Sequence, residues 1–173
     1  TKQLLEKETF DRVIFQDHST YPLVHIDTTA FYFKKLKALL PAKTKVYLYS
    51  TWMYPGINGK ENYPNSTNPI EENLKTEVVS VKDQLLRVGA AFELFAARYP
   101  DVDRFTDDKK HPSPQGSYLA ACVIFSSLSG QSSKGVQRRY SSTDKNGKKI
   151  FYSMVEKETA QKCQEVADQI LFN

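Results

Sequence analysis

The sequence predicts an α/β domain whose parallel sheet carries helices on both faces. Short apolar runs rich in β-branched and aromatic residues alternate with longer segments of helical periodicity. Polar side chains follow the first two of these runs, and capping residues precede several of the helical segments. This alternation is typical of parallel strands joined by helices. At 173 residues, the chain fits one domain, residues 1–173, with a substantial core.

The first predicted strand is Arg12–Phe15, which follows the end of a short helical segment containing Leu4 and Leu5. Its short apolar run suits a buried parallel strand. Five polar residues, from Gln16 to Thr20, come directly after it. Ligands bind at the carboxyl ends of the strands in open α/β sheets. These residues are therefore the first candidates for a binding site.

A helix and a second strand follow in the predicted order. Asp27 is placed to cap a helix that runs through Leu40, where Pro41 stops it. Its predicted buried stripe consists of Phe33, Leu36 and Leu40. Residues 45–50 form the second strand, and the loop after it brings Trp52 and Tyr54 to the same sheet edge.

The middle of the chain combines a long loop with a capped helix. Residues 57–68 are long enough to form a lid or rim. Asn68 is predicted to be the N-cap of the helix that follows this loop, and Glu71 is predicted to be the acid of its capping box. A helical stripe, a very short strand at 86–89 and a helix at 90–98 are expected next. The apolar positions of the stripe are Ile70, Leu74, Val78, Val81 and Leu85.

A charged loop then holds Asp108 and His111, three residues apart. Imidazole titrates near neutral pH, and a carboxylate bonded to one ring nitrogen fixes the tautomer and stabilises the imidazolium. Ser113 and Pro114 predict a helix that begins two residues after the histidine. The pair suits proton transfer, although the spacing alone also fits a solvated loop that caps this helix.

The loop resembles a known family over a longer string. Asp108-Lys109-Lys110-His111-Pro112-Ser113, with Gly116 and the helix start Tyr118-Leu119-Ala120-Ala121, is similar to the last signature block of the SGNH (GDSL-like) hydrolases. The string from Asp11 to Ser19 is similar to a second block in one branch of that family. The resemblance implies a three-layer α/β/α, flavodoxin-like fold and a Ser-His-Asp triad acting on esters, without metal or organic cofactor.

The resemblance also implies roles for individual residues. His111 would be the base, Asp108 its orienting acid and Gln16 a side-chain donor to the oxyanion. Trp52, Tyr54, Ser19 and His18 would line the substrate pocket. His18 stands where the family pattern has glutamine, and a second general base is not expected there. On the residues alone, Gln16 and Ser19 also fit bonds within the loop, and Trp52 fits the core equally well.

In that family the nucleophilic serine lies in a Gly-Asp-Ser or Gly-Asn-Ser turn that follows the first strand, a central strand of the sheet. This block has no counterpart in residues 1–173. Three explanations stay open, in order of preference: a fragment whose serine lies upstream, an inactive relative, or replacement by Ser19 or Ser50. A sheet without its central strand would expose an apolar edge, so self-association or a bound N-terminal piece is expected.

After Gly130 the pattern changes to two alternating segments joined by Asn146-Gly147, the strongest short hairpin signal. This hairpin, at 136–155, is predicted to be an insertion, either a rim of the site or a surface ribbon. A final helix follows, with Cys163, Val166, Ala167 and Ile170 as its apolar stripe. Cys122 and Cys163 are predicted to be buried free thiols.

Composition excludes several function classes. The net charge of +4 comes from dispersed cations, and the short basic patches flank a predicted turn, so a nucleic-acid partner is not expected. No apolar run reaches the length of a membrane span. No glycine-rich phosphate loop is present, which disfavours a nucleotide-binding domain.

Two functions remain. The first is a carboxylesterase or acetylesterase acting on a small ester or an acylated carbohydrate. The second is an inactive module that binds carbohydrate in the same cleft. The family resemblance is compatible with a secreted or periplasmic protein, and the cysteines do not indicate a compartment.

Overall fold

The computed structural model describes residues 1–57, 68–78 and 84–172. Most of the predicted loop at 57–68, and the predicted stripe position Val81, lie outside the described residues. The elements, in chain order, are α1 Lys2–Lys7, β1 Arg12–Phe15, α2 Tyr21–Val24, α3 Ile26–Lys37, β2 Lys45–Tyr49, α4 Pro69–Glu77, β3 Gln84–Leu86, α5 Val88–Arg98, α6 Pro114–Ser129, β4 Arg139–Thr143, β5 Lys149–Met154 and α7 Lys157–Phe172.

Contacts between residues divide the chain into two compact units, and each unit is built from two segments. The first unit comprises residues 1–53 and 66–89, and the second comprises 54–65 and 90–173. The prediction of a single domain stays a prediction.

The first unit contains a small parallel sheet with strand order β1-β2-β3, which gives the chain its mixed α/β character. Leu48 of β2 stands opposite Phe15 of β1 and Leu85 of β3. The central strand buries three consecutive side chains, Val46, Tyr47 and Leu48. The parallel sheet is therefore confirmed.

The prediction that β1 is a buried strand is wrong. Its side chains alternate between exposed and half-buried, and Ile14 keeps 40% of its surface exposed. Within the described residues β1 pairs only with β2, so one of its edges has no strand beside it. An edge strand lacks the cover that makes a central strand apolar on both faces.

Several predicted element boundaries are corrected. Helix α3 has His25 rather than Asp27 at its N-cap position, and it ends at Lys37 rather than Leu40. The apolar stripe assigned to one helix belongs to two elements, because α4 ends at Glu77 and Leu85 lies in β3. A run of leucines and valines fits both helical and strand periods, so the sequence pattern did not separate them.

The third strand also lies earlier than predicted, at Gln84–Leu86, and α5 begins at Val88. Two backbone hydrogen bonds hold the end of β3 and the start of α5 beside β2. The Ser50 N–H donates to the Leu86 carbonyl, and the Gly89 N–H donates to the Ser50 carbonyl. A Cβ at Gly89 would lie 2.1 Å from the Thr51 carbonyl oxygen. Only glycine permits this approach between the helix start and the loop after β2.

Asn68 caps α4 as predicted. Its Oδ1 accepts hydrogen bonds from the N–H groups of Ile70 and Glu71, and its Nδ2 donates to the Thr51 carbonyl. The capping-box role predicted for Glu71 is wrong. Its buried carboxylate instead accepts from Arg87 Nε at 2.7 Å and pairs with Lys75. A fixed cation is a stronger partner for a buried carboxylate than a backbone N–H.

The second unit contains α6 packed along α7, and the antiparallel hairpin formed by β4 and β5. The predicted hairpin and the final helix are confirmed, as is the Ser113 N-cap of α6. Cys122 and Cys163 are buried and free, and burial raises the pKa of Cys122 to about 11 and that of Cys163 to about 12. Both thiols stay protonated and inert near neutral pH.

Gly116 provides a test of how α6 is positioned. A Cβ at this position would lie 2.2 Å from the Arg104 carbonyl oxygen and 3.2 Å from the Phe92 ring. We therefore expect Gly116→Ala to lower the free energy of unfolding by about 1–3 kcal/mol, because backbone must move to admit the methyl group. Urea denaturation followed by circular dichroism measures this change.

Ser117→Ala is the matched control, because Ser117 is the next residue of the same helix and its side chain is exposed. Its free energy of unfolding should change by less than about 0.5 kcal/mol. Equal stabilities for Gly116→Ala and Ser117→Ala would contradict the close packing of α6 against the segment that contains Arg104.

Candidate functional site

The segment from Asp103 to Ser113 is a closed loop that joins α5 to α6. Phe105 and Pro112 form an isolated antiparallel bridge at its base. Thr106 N–H donates to the His111 carbonyl at 2.8 Å, which holds the two ends of the loop together. Ser113 caps α6 through Gly116 N–H and donates its hydroxyl to the Asp103 carbonyl. The loop is therefore anchored directly to the first turn of a helix.

Asp108 is the centre of this loop. Its Oδ1 accepts from the N–H groups of Lys110 and His111 and from the Thr106 hydroxyl, each at 2.9 Å. Its Oδ2 lies 2.5 Å from Nδ1 of His111. Lys109 adopts a left-handed conformation with φ of 58° where the chain turns around the carboxylate. One carboxylate thus organises the turn and orients the imidazole.

These bonds hold the pKa of Asp108 well below its ordinary value. The largest cause is the hydrogen bond with the His111 side chain, followed by the backbone N–H groups of His111 and Lys110 and then the Thr106 hydroxyl. An ionised carboxylate only accepts hydrogen bonds, so Nδ1 of His111 carries the proton. Nε2 is then the basic nitrogen that can accept a proton from a reacting group.

The pair is open to solvent. The His111 side chain is 79% exposed and that of Asp108 is 46% exposed. Lys110 lies beside the pair in sequence, and its Nζ is 5.7 Å from the centre of the Tyr54 ring. The structure thereby brings Tyr54, one of the predicted substrate-binding residues, into contact with the loop that holds His111.

Gln16 lies at the end of β1, beside a cavity of about 210 Å³ in the first unit. Its side chain is exposed and it lines this cavity together with aromatic residues that include Tyr32 and Phe33. The neighbouring Asp17 is fixed by the Thr29 hydroxyl, which donates to Oδ2 at 2.6 Å. A polar amide next to an apolar cavity is suited to binding an acyl group or a sugar ring.

The other candidates of the first unit surround the same strand end. His18 Nδ1 lies 3.3 Å from the Thr20 hydroxyl, and its ring packs edge-on against Tyr21. The Ser19 carbonyl accepts from the Thr51 hydroxyl, and Trp52 is half-buried. These contacts explain the loop geometry, so the binding roles of His18, Ser19 and Trp52 stay predictions.

Ser50, one of the two predicted substitute nucleophiles, is the candidate least accessible to a substrate. Its side chain is completely buried, and its hydroxyl faces the Thr51 carbonyl at 3.5 Å. A nucleophile must reach the substrate, and a buried hydroxyl in this position does not. Ser19 is half-buried and stays the only one of the two predicted substitutes with access to solvent.

The candidates thus fall into two groups. Asp108, His111 and Tyr54 belong to the second unit, whereas Gln16, His18, Ser19 and Trp52 belong to the first. Sequence analysis missed Thr106 as a partner of the carboxylate, although an aspartate that bonds the backbone N–H two residues on, as Asp108 does with Lys110, is a typical turn signal. It also missed the bond between Thr29 and Asp17, which joins residues twelve apart.

The described ranges hold neither a metal-binding cluster nor a membrane-spanning helix. No group of three His, Cys, Asp or Glu side chains there could hold a metal ion. None of the helices in those ranges combines the length and the apolar character that crossing a membrane requires.

Comparison with known proteins gives a fold relationship. No protein-family model matches the chain, and no curated protein matches it. A similar solved structure is the crystal structure of a DUF4886 family protein from Bacteroides uniformis ATCC 8492, with a TM-score of 0.71 at 16% sequence identity. The match covers 99% of this chain and 66% of that chain, so this chain spans just under two thirds of its length. At this identity the likeness shows a shared fold alone.

NMR can test which hydrogen bond lowers the pKa of Asp108 the most. We expect the carboxyl ¹³C of Asp108 to titrate below its ordinary pKa of 3.8. His111→Phe removes the largest cause and should raise this pKa toward 3.8, whereas Thr106→Val should raise it less. A midpoint at 3.8 in the unmodified chain, or a larger shift in Thr106→Val, would contradict the geometry.

The same pKa predicts how stability depends on pH. Because the folded-state pKa of Asp108 is depressed, its contribution is fully present above pH 3.8 and is lost as pH falls through the lower folded-state value. The melting temperature of the unmodified chain should therefore fall more steeply below pH 3.8 than that of Asp108→Asn. Differential scanning calorimetry measures both slopes, and parallel slopes would count against the prediction.

Proposed function

We propose that this chain is the larger part of an ester hydrolase of the SGNH class, with the three-layer α/β/α fold of that class. The observation that carries the proposal is the Asp108–His111 pair, in which a fixed carboxylate orients an exposed imidazole. The proposed substrate is a small ester or an acylated carbohydrate. The nucleophilic serine is proposed to lie on a segment that precedes Thr1 in a longer natural protein.

In the proposed reaction the serine hydroxyl attacks the ester carbonyl while Nε2 of His111 takes its proton. Asp108 keeps Nδ1 protonated and stabilises the imidazolium that forms. His111 then returns the proton to the departing alcohol. Water hydrolyses the acyl-serine by the same proton route, which releases the acid and restores the serine.

Gln16 is proposed to donate its side-chain amide to the oxyanion, a role that rests on the family resemblance. The exposure of Gln16 to solvent at the carboxyl end of β1 supports the assignment, because an exposed side chain can reach a substrate. Trp52, Tyr54, Ser19 and His18 are proposed to line the substrate pocket on the same basis.

Two features support the enzyme proposal over a solvated capping loop. The bond from Ser113 already caps α6, so neither Asp108 nor His111 serves as the cap. The imidazole takes no part in closing the loop, which backbone groups and Asp108 Oδ1 accomplish. His111 is thus oriented at one nitrogen and open at the other, as proton transfer requires.

The second candidate is a module that binds carbohydrate without hydrolysing it. The absence of a Gly-Asp-Ser or Gly-Asn-Ser string from residues 1–173 favours it. Tyr54 would be a constrained stacking platform in that case, because Lys110 already lies over its ring.

Hydrolysis of p-nitrophenyl acetate by the full natural gene product tests the proposal. His111→Ala should reduce kcat/KM by roughly 10⁴-fold or more, because the general base is lost. Asp108→Asn should cause a smaller loss, since it removes only the orientation of the ring. Stopped assays by absorbance give both values.

His25→Ala is the control, because His25 lies in the first unit and contacts the Tyr21 ring rather than the loop of Asp108. Its activity should match that of the unmodified protein. Equal turnover by His111→Ala and His25→Ala would refute the enzyme proposal and favour the binding module.

A further inference from the structure

An apolar groove of about 310 Å³ runs between α6 and the hairpin in the second unit. Ser117, Ala121 and Phe125 line it from α6, and Tyr140 and Tyr152 line it from the hairpin. Residues 117, 121 and 125 repeat every four positions, so they form one continuous stripe along the helix. The groove is therefore elongated in the direction of α6.

One face of the hairpin forms the second wall of this groove. Side chains alternate along a strand, so Ile150 and Tyr152 point to one face and Phe151 to the other. The Tyr152 hydroxyl lies 2.7 Å from the Ser142 hydroxyl, which fixes the ring across the strands. The pairing of the two strands shifts by one residue between Tyr140 and Ser141. Tyr152 is the unpaired extra residue on β5 at this shift.

The groove wall is aromatic and exposed. Phe125 is 36%, Tyr140 41% and Tyr152 68% exposed. Large apolar side chains clustered at a surface mark interaction sites rather than ordinary exposure. Ser117 and Ser153 line the groove as well, and Tyr140 and Tyr152 carry hydroxyl groups on their rings. Rings interleaved with hydroxyls match a sugar chain, whose pyranose units combine apolar C–H faces with hydroxyl edges.

The groove starts close to the candidate catalytic loop. Ser117 is the fourth residue of α6, and the N-cap of this helix follows His111 by two residues. Phe125, at the other end of the stripe, lies about 12 Å further along the helix at 1.5 Å per residue. A polymer with one acylated unit at His111 could therefore continue along α6 for about two further sugar units.

The charge of the hairpin indicates the type of polymer. Between Arg139 and Met154 the chain has four cationic side chains and one carboxylate, Asp144. That carboxylate accepts hydrogen bonds from the N–H groups of Asn146 and Lys148 within the turn. Arg139 lies 4.0 Å from the exposed Glu156 carboxylate, so the excess of positive charge stands at the turn end of the hairpin, on Lys145, Lys148 and Lys149. This charge attracts an anionic chain, and the attraction weakens as salt is added.

The same arrangement disfavours a lipid surface. The turn at the tip of the hairpin, residues 144–148, is polar and charged, so insertion of the tip into a bilayer would bury several cations. The apolar side chains lie along both faces of the strands, with Phe151 opposite the groove, so one flat membrane would not cover them together.

We propose that the groove between α6 and the hairpin binds an acidic polysaccharide, a chain of sugar rings with carboxylate or sulfate groups. Tyr140, Tyr152 and Phe125 stack on the rings, and the hairpin cations attract the acidic groups. This inference rests on the proposed function, because it makes the groove a subsite for the polymeric part of the acylated substrate. It narrows that substrate from carbohydrates in general to acidic ones.

Affinity electrophoresis in gels that contain polygalacturonate, carboxymethyl cellulose or chondroitin sulfate tests the inference. We expect retardation by at least one of them, and little by neutral hydroxyethyl cellulose. Tyr140→Ala with Tyr152→Ala should weaken binding about tenfold, whereas Tyr152→Phe, which keeps the ring, should stay within about twofold. Circular dichroism establishes that each variant is folded.

Phe151→Ala is the matched control, because Phe151 is 53% exposed on the same hairpin but does not line the groove. It should bind like the unmodified protein. Loss of binding in Phe151→Ala equal to that of the tyrosine variant would overturn the assignment to the groove. Retardation by none of the acidic polymers would overturn it as well, as would binding only to phosphatidylglycerol vesicles.

His111→Ala separates this inference from the proposed function. Polysaccharide binding should persist in His111→Ala, since that residue is outside the groove, while ester hydrolysis is lost. Binding without any His111-dependent hydrolysis would refute the enzyme proposal and leave the groove in place. Hydrolysis without binding would refute the groove and leave the enzyme proposal in place.

Discussion

The Asp108 carboxylate is the constraint on which the candidate site depends. It accepts three hydrogen bonds through one oxygen and binds the His111 ring through the other, so the same group folds the loop and orients the base. Both functions need the ionised form, which the bonds themselves favour by lowering its pKa. The loop in turn is held on α6 by Ser113, which caps the helix and bonds back to the Asp103 carbonyl. A local network therefore positions the imidazole without help from distant elements.

The features of the fold that the sequence predicts are those that depend on contacts between residues close in sequence. Asn68, Ser113 and the Asn146-Gly147 turn act through neighbours within a few residues, so their roles could be inferred without knowing the rest of the chain. The edge position of β1 could not, because burial depends on which strands lie beside it. The spacing of Leu85 fits the period of a helix, so the sequence predicts a helix there. The structure instead pairs Leu85 with Leu48 and places it in a strand. Glu71 shows the same limit, because its partner Arg87 lies sixteen residues away.

In the candidate site, too, contacts between residues close in sequence were predictable and contacts between distant residues were not. Asp108 and His111 were predictable as a pair because their bond spans three residues, and the pattern of one loop contains it. The contact of Lys110 with Tyr54 joins residues far apart in sequence, so no spacing rule indicates it. The aromatic groove was missed for a related reason, because the hairpin and α6 meet only in the folded chain. The aromatic side chains of the hairpin were the available signal, and the sequence left the hairpin open between a rim of the site and a surface ribbon.

The most direct test of the central claim is to label the natural gene product with a fluorophosphonate probe and to map the modified residue by peptide mass spectrometry. The account predicts one modified serine on a segment outside residues 1–173, with labelling that falls sharply in His111→Ala and stays unchanged in His25→Ala. Modification of Ser19, or the absence of any His111-dependent labelling, would contradict a serine hydrolase built around the Asp108–His111 pair.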